Sequence, residues 1–255
     1  MRETGGRLSG HVALITGAGQ GVGRGIALAM AKEGAAVGLA GRTLSKVEAV
    51  ADEVRGLGGC ALPIACEVTD RAQDDAAVAA TVAEFGSLNL LINNAQSSVQ
   101  RLLADTTDED VELSWRSGPL ASLYLMQAAL PYLKERGGVI VNFGSSTAVN
   151  GDPTFGSYTM AKEALRGLTR VAAREWGRWN IRAVTVLPTA MSPAAVQWKA
   201  RNPERFEANL KSMPLCRMGD PEADIGRAVA AICSDDMSYL SGTSISLNGG
   251  RVVIG

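Results

Sequence analysis

The stretch Val12-Ala13-Leu14-Ile15-Thr16-Gly17-Ala18-Gly19-Gln20-Gly21-Val22-Gly23 decides how the chain is read. Its first four residues form a short unbroken apolar run, as expected of a strand buried on both faces. Glycines then occupy every second position from Gly17 to Gly23, and a helical pattern follows through Ile26-Ala27-Leu28-Ala29-Met30-Ala31-Lys32 to end near Gly34. A glycine-rich turn alone is an ordinary loop. Between a buried strand and a helix it gains a use. Small residues let the backbone approach a pyrophosphate, and the helix N-terminus offers free N–H groups and a positive dipole end. Gly17, Gly19, Gln20, Gly21, Val22 and Gly23 are therefore candidate dinucleotide-binding residues.

The rest of the chain repeats that alternation. Strand-like runs at Ala36–Ala40, Cys60–Ile64, Leu88–Ile92, Gly138–Phe143, Ile181–Leu187 and Ser244–Leu247 are separated by helical patterns. The spacing predicts an α/β fold: a doubly wound (Rossmann) parallel sheet of about seven strands with helices on both faces. No Pro/Ser-rich linker, charge block or low-complexity tract divides the chain, so residues 1–255 read as one domain. Ligands of such sheets bind beyond the carboxyl ends of the strands, which brings Thr16–Gly23, Asn93, Ser145 and Pro188 to one end of the molecule.

Composition narrows the function. Apolar residues make up 46% of the 255, enough for a sizeable core, and the formal charge of −1 gives no electrostatic support for nucleic-acid or anionic-membrane binding. Cys60, Cys66, Cys216 and Cys233 lack C-x-x-C spacing and are expected as reduced thiols in a cytoplasmic protein. His11 is the only histidine, which argues against a His-based metal site or a Ser-His triad, and no metal is expected. No apolar run reaches the ~18 residues needed to span a bilayer.

Ser157-Tyr158-Thr159-Met160-Ala161-Lys162 carries the chemistry. On a helix, Tyr158 and Lys162 lie one above the other on the same face. A fixed cation there lowers the cost of forming phenolate, so the tyrosine can exchange a proton nearer neutral pH than a free phenol, whose pKa is about 10. Such a pair is often only a solvated helix surface. Beside a dinucleotide turn it describes hydride transfer with a tyrosine acid/base.

With these pieces in place, the chain resembles the short-chain dehydrogenase/reductase family over nearly its whole length. The resemblance rests on T-G-x-x-x-G-x-G at Thr16–Gly23, N-N-A at Asn93–Ala95, and a serine thirteen residues before the tyrosine, Ser145, with Tyr158 and Lys162. Pro188 and Leu247-Asn248-Gly249-Gly250 complete it. It implies an NAD(P)(H)-dependent oxidoreductase, a ketoreductase or alcohol dehydrogenase, assembled as a homotetramer or homodimer. Tyr158 would pass the proton, Lys162 would hold the nicotinamide ribose, and Ser145 would bind the substrate oxygen, with Ser146 as its near competitor. Asn93 would be a turn residue beside the adenine ribose, more structural than chemical, and Glu67, with Val68, would stand where the family carries an aspartate near adenine. Ala95, Pro188 and Thr189 would complete the cofactor contacts. Arg42 after the second strand, in place of an acidic residue, favours NADP(H) over NAD(H).

Several positions depart from the family pattern. Gln96 replaces the glycine that closes N-N-A-G, Thr189 the glycine after Pro188, and Asn248 an aspartate. The family's helix asparagine, which ties a relay water to the lysine, falls at Ser117 or Gly118. Pro119 lacks an N–H, so a bend is expected there, with freed backbone carbonyls taking over the water. Residues from about 189 to 219 are expected to cover the substrate. With Gln96 and Ser146, Met191 and Trp198 are candidates for its pocket, and Phe206, Met213 and Leu215 are apolar companions. Cyclic or aliphatic ketones and 3-oxoacyl groups both remain open. A catalytically idle dinucleotide-binding regulatory or scaffold subunit is the alternative reading.

Overall fold

The computed structural model describes residues 6–253. Seven strands form one sheet: β1 Val12–Thr16, β2 Ala36–Gly41, β3 Ala61–Ala65, β4 Leu90–Asn93, β5 Gly138–Phe143, β6 Ile181–Pro188 and β7 Ser244–Leu247. Their order is β3-β2-β1-β4-β5-β6-β7 and every adjacent pair is parallel. β1 and β4 are buried from end to end, as their unbroken apolar runs require.

Helices cover both faces. α1 (Gly21–Lys32), α2 (Leu44–Gly56) and α10 (Arg227–Cys233) bury Ile26, Val47, Val50, Val54 and Val229 on one side. α3 (Arg71–Phe85), α5 (Ala121–Arg136) and α7 (Gly156–Trp176) bury Val78, Leu125, Met126, Leu133 and Ala172 on the other. The order reverses between β1 and β4, the switch point at which such sheets open a crevice beyond their carboxyl ends.

Three shorter helices complete the site end. α4 (Asp108–Trp115) precedes α5, while α8 (Pro193–Arg201) and α9 (Pro203–Lys211) occupy the segment expected to cover the substrate. Between α4 and α5 the residues Arg116–Leu120 take a π-turn, with the Ala121 N–H donating to the Arg116 carbonyl five residues back. Pro119 explains it. A proline cannot serve the carbonyl four residues before it, and i→i+5 spacing carries the ladder past the missing donor. The expected bend is thus a π-turn within one long helical run.

Candidate functional site

The turn between β1 and α1 forms one wall of a cleft of ≈ 380 Å³ lined by Gly17, Gly19, Gln20, Gly21, Val22, Gly23, Arg42, Glu67, Val68, Ala95 and Gln96. The glycines are required sterically. A Cβ on Gly23 would lie 2.2 Å from the Gly17 carbonyl oxygen, and one on Gly17, whose φ is +65°, would lie 2.9 Å from Asn94 Nδ2. Gln20 precedes α1 without a side-chain cap, and the first turn of that helix holds no acidic residue. Its N–H groups are left to meet an anion. The cradle therefore fits the pyrophosphate of a dinucleotide.

At the adenine end the cleft is cationic on one side. Arg42 is 65% exposed, with its Nε 3.8 Å from Glu67 Oε2. Lys46 Nζ donates to Gln20 Oε1 at 3.0 Å, and α2 likewise starts without a side-chain cap. Lys46 escapes sequence reading because only the close approach of α2 to Gly19, which a Cβ would block at 2.9 Å, brings it to the cleft. Glu67 turns its carboxylate to the Thr69 N–H.

Asn93 does not reach the cleft with its side chain. It is buried and donates to Asn142 Oδ1 at 2.8 Å, and Asn142 in turn donates to Thr169 Oγ1. The neighbour Asn94 lines the cleft instead, with Nδ2 donating to the Thr16 carbonyl at 2.9 Å. A parallel strand alternates its faces, so adjacent asparagines point oppositely.

Beyond the β5 end stand Ser145, Tyr158 and Lys162. Ser145 caps α6 (Ser146–Asn150), its Oγ accepting the Thr147 N–H at 3.1 Å, and it is the polar neighbour that acts on the Tyr158 phenol. Lys162 Nζ sits 5.5 Å from the Tyr158 ring centroid and donates to the Phe143 carbonyl at 2.5 Å. Burial pushes the Tyr158 phenol above its ordinary pKa, with Ser145 pulling it down, and drives Lys162 down to about 7. Burial and Ser145 are the causes that act on the phenol; the lowering expected from Lys162 is not among them. An ammonium that burial drives towards neutrality, bonded to a backbone carbonyl, offers the phenolate little field.

The serines separate clearly. Ser146 is buried and accepts from Asn248 Nδ2 at 3.0 Å, which leaves Ser145 facing Tyr158. Asn248 Nδ2 also donates to the Val252 carbonyl at 3.0 Å. A carboxylate cannot donate at all, so the asparagine in place of aspartate ties the C-terminal turn to the floor of the site.

In the covering segment, Phe206 and Met213 are buried, and Trp198 packs edge-on against Phe206 with ring centroids 5.4 Å apart. These residues form a small core of their own, while Val196 and Leu215 stand 53% and 62% exposed. Met191 is half-buried, its N–H donating to the Gly219 carbonyl. Thr189, next to Pro188 at the end of β6, borders a second cavity of ≈ 440 Å³ with Arg217, Leu247 and Asn248. Gln96 extends from the cleft towards the π-turn, where its Nε2 donates to the Ser114 carbonyl at 2.9 Å.

Comparison with known proteins gives a consistent result. A family model described as enoyl-(acyl carrier protein) reductase matches residues 17–251. The chain is 43% identical over 253 residues to a 12α-hydroxysteroid dehydrogenase of a Clostridium species, covering 96% of this chain and 98% of that one. It is 32% identical to the 3-oxoacyl-[acyl-carrier-protein] reductase of Thermotoga maritima, covering 97% and 100%. A 7α-hydroxysteroid dehydrogenase solved with NADH and 7-oxo glycochenodeoxycholic acid superposes with a TM-score of 0.90 at 30% identity, covering 96% of each chain.

Proposed function

Since the chain belongs to the short-chain dehydrogenase/reductase family and is an NAD(P)(H)-dependent oxidoreductase of carbonyls and secondary alcohols, we propose that it reduces a ring ketone of a steroid-like substrate with NADPH, and runs the reverse oxidation, through Ser145, Tyr158 and Lys162. The observation that carries this reading is the grouping of Ser145, Tyr158 and Lys162 beyond the end of β5, with Lys162 Nζ 5.5 Å from the Tyr158 ring centroid and bonded to the Phe143 carbonyl. Each relative above is named as a dehydrogenase or reductase, and none supports the idle-subunit alternative.

The dinucleotide, when bound, supplies or accepts the hydride. Gly17–Gly23 would admit its pyrophosphate against the uncapped end of α1, Val68 and Ala95 line the same cleft, and Pro188 and Thr189 at the end of β6 would close its far end. The Thr147 N–H occupies one lone pair of Ser145, so the Ser145 proton is free to point at a substrate oxygen. Tyr158, its phenol held protonated at neutral pH, donates to that oxygen as it gains charge, and takes the proton back in alcohol oxidation. Lys162, fixed by its bond to the Phe143 carbonyl, would hold a ribose hydroxyl of the bound dinucleotide.

The preference for NADP(H) is supported by Arg42 and Lys46 around an uncapped α2 N-terminus, with no acidic residue among Ala40-Gly41-Arg42-Thr43. A steroid-like substrate is supported by 43% identity to a hydroxysteroid dehydrogenase, against 32% to a 3-oxoacyl reductase. Residues 1–255 act as one domain. Apolar Trp115, Met160 and Val171, left exposed on α4 and α7, support self-association as a homodimer or homotetramer. Four free cysteines support a reducing cytoplasmic setting.

Absorbance at the reduced nicotinamide band tests this with oxo-bile acids and 3-oxoacyl thioesters. Turnover of the steroid ketone with NADPH is expected, falling roughly 100-fold or more in Tyr158→Phe while nucleotide affinity is kept. A Tyr158→Phe enzyme with full turnover would overturn the mechanism.

A further inference from the structure

The side chain of Gln96 lies between two parts of the molecule that are far apart in sequence. Its backbone belongs to the loop after β4 that lines the dinucleotide cleft. Its amide reaches the π-turn between α4 and α5, donating from Nε2 to the Ser114 carbonyl at 2.9 Å and the Ser97 carbonyl at 3.1 Å. Both partners are carbonyls, which only accept, so the nitrogen must face them and the orientation of the amide is determined.

Ser114 stands in the last turn of α4, just before the π-turn that Pro119 imposes by removing the α-helical donor of the Trp115 carbonyl, and Gln96 gives it a side-chain donor from outside the helix. Room for the visiting side chain comes from Gly118, where a Cβ would lie 2.3 Å from Gln96 Oε1. That oxygen is buried without a partner. An apolar side chain of equal size would fill the space without stranding an acceptor, so a space-filling role does not account for the residue.

Ser114 is also a junction. It is fully buried, and its hydroxyl donates to Ser157 Oγ at 3.2 Å, one residue before Tyr158. A polar path thus runs from the cofactor loop through Gln96 and Ser114 to Ser157, at the first turn of the helix that presents the tyrosine.

We propose that Gln96 is a positioning residue: admitted by Gly118, its amide holds the Ser114 carbonyl and, through the Ser114–Ser157 bond, sets where Tyr158 stands against Ser145. The assignment rests on Tyr158 as the acid/base. It differs from the expectation drawn from sequence, in which open carbonyls at Gly118-Pro119 hold a water. The place beside Gly118 is taken by Gln96, and the residue acts on the helix rather than on the substrate.

The test is a cycle of Gln96→Met, Gly118→Ala and the double variant, with Ser157→Ala as a probe at the far end of the path. Met matches the length of Gln but donates nothing. Two readouts are taken: kcat for oxo-steroid reduction with NADPH, and the Tyr158 ring resonance in protein carrying ¹³C-labelled tyrosine, assigned with Tyr158→Phe. Each single variant is expected to lower kcat roughly tenfold and to shift the Tyr158 resonance, with the NADPH Kd changed less than about threefold. The double variant is expected to be no worse than either single one, because both remove the same contact. Wild-type kcat and an unmoved resonance in Gln96→Met, or single effects that multiply in the double variant, would overturn the proposal. Should Gln96→Met fail to fold, Ser157→Ala with an unmoved Tyr158 resonance would do the same. Shifts of the resonance in an enzyme whose turnover survives Tyr158→Phe would overturn the acid/base reading and leave the positioning of Tyr158 standing.

Discussion

A Cβ placed on Gly23 would lie 2.2 Å from a backbone carbonyl, whereas in the segment over the site Val196 and Leu215 stand more than half exposed. The dinucleotide cleft is built from backbone, with glycines selected by contacts that no side chain satisfies. The covering helices α8 and α9 are held by a small core, Phe206 with Trp198 edge-on against it, and their outer positions are open. Recognition of a pyrophosphate needs N–H groups at fixed places, which only a rigid backbone supplies. Recognition of an apolar substrate needs only a wall of suitable shape. The two regions should therefore fail differently when perturbed.

The largest effect belongs to the backbone-built side. Gly23→Ala forces the turn open against the Gly17 carbonyl, so NADPH affinity should fall by roughly 100-fold whatever the substrate. A fluorescence titration measures it, and unchanged affinity would remove the distinction between the two regions. Phe206→Ala acts on the other side. Losing a buried aromatic costs about 3 kcal/mol, here confined to α8 and α9, so KM for the oxo-steroid should rise severalfold with the NADPH Kd unchanged. If both constants move together, cleft and cover are one cooperative unit.

The smallest effect is electrostatic and tests how deep the cleft's foundation goes. Asp74 is fully buried under the β3 end, accepting from Cys66 Sγ at 3.7 Å, and burial raises its carboxyl to about 7. A raised folded pKa gives stability that is present below the unfolded value near 4 and is lost as pH rises through 7. Asp74→Asn should therefore raise stability by about 1–2 kcal/mol at pH 8, less at pH 5, and not at all near pH 4. Denaturant melts at the three pH values read it, and a gain independent of pH would place the effect in packing rather than charge.

How much of this is legible in the residues alone depends on how local the cause is. The strands at Gly138–Phe143 and Ser244–Leu247 are legible to the residue, since an apolar run bounded by turns needs no partner to be recognised. So are Gly17–Gly23 and the Tyr158–Lys162 spacing, because a turn and one helical repeat contain their own geometry. The partner of Asn93 is hidden for a contrary reason: only the pairing of β4 with β5 turns its amide to Asn142. The Ser145–Ser146 choice waits on Asn248, 102 residues away, and Lys46 on the packing of α2 against Gly19. Gln96 and Gly118 read as two separate irregularities in sequence. In space each makes room for the other.

The tie between Asn94 and Thr16 bears on how the enzyme is made. As a ribosome delivers the chain, β1 and its glycine turn emerge early but lack a neighbour on one side, because β4 and the asparagine that braces the turn come almost eighty residues later. The glycine turn is then braced while the tyrosine helix, and Ser192 and Pro193 that also line the cleft, are still unmade. Asn248 arrives last and closes the floor beneath Ser145 only when synthesis has all but ended. Both the cleft and the floor of the site thus wait on residues from the second half of the chain, so the nucleotide seat and the catalytic end are finished together, late in synthesis.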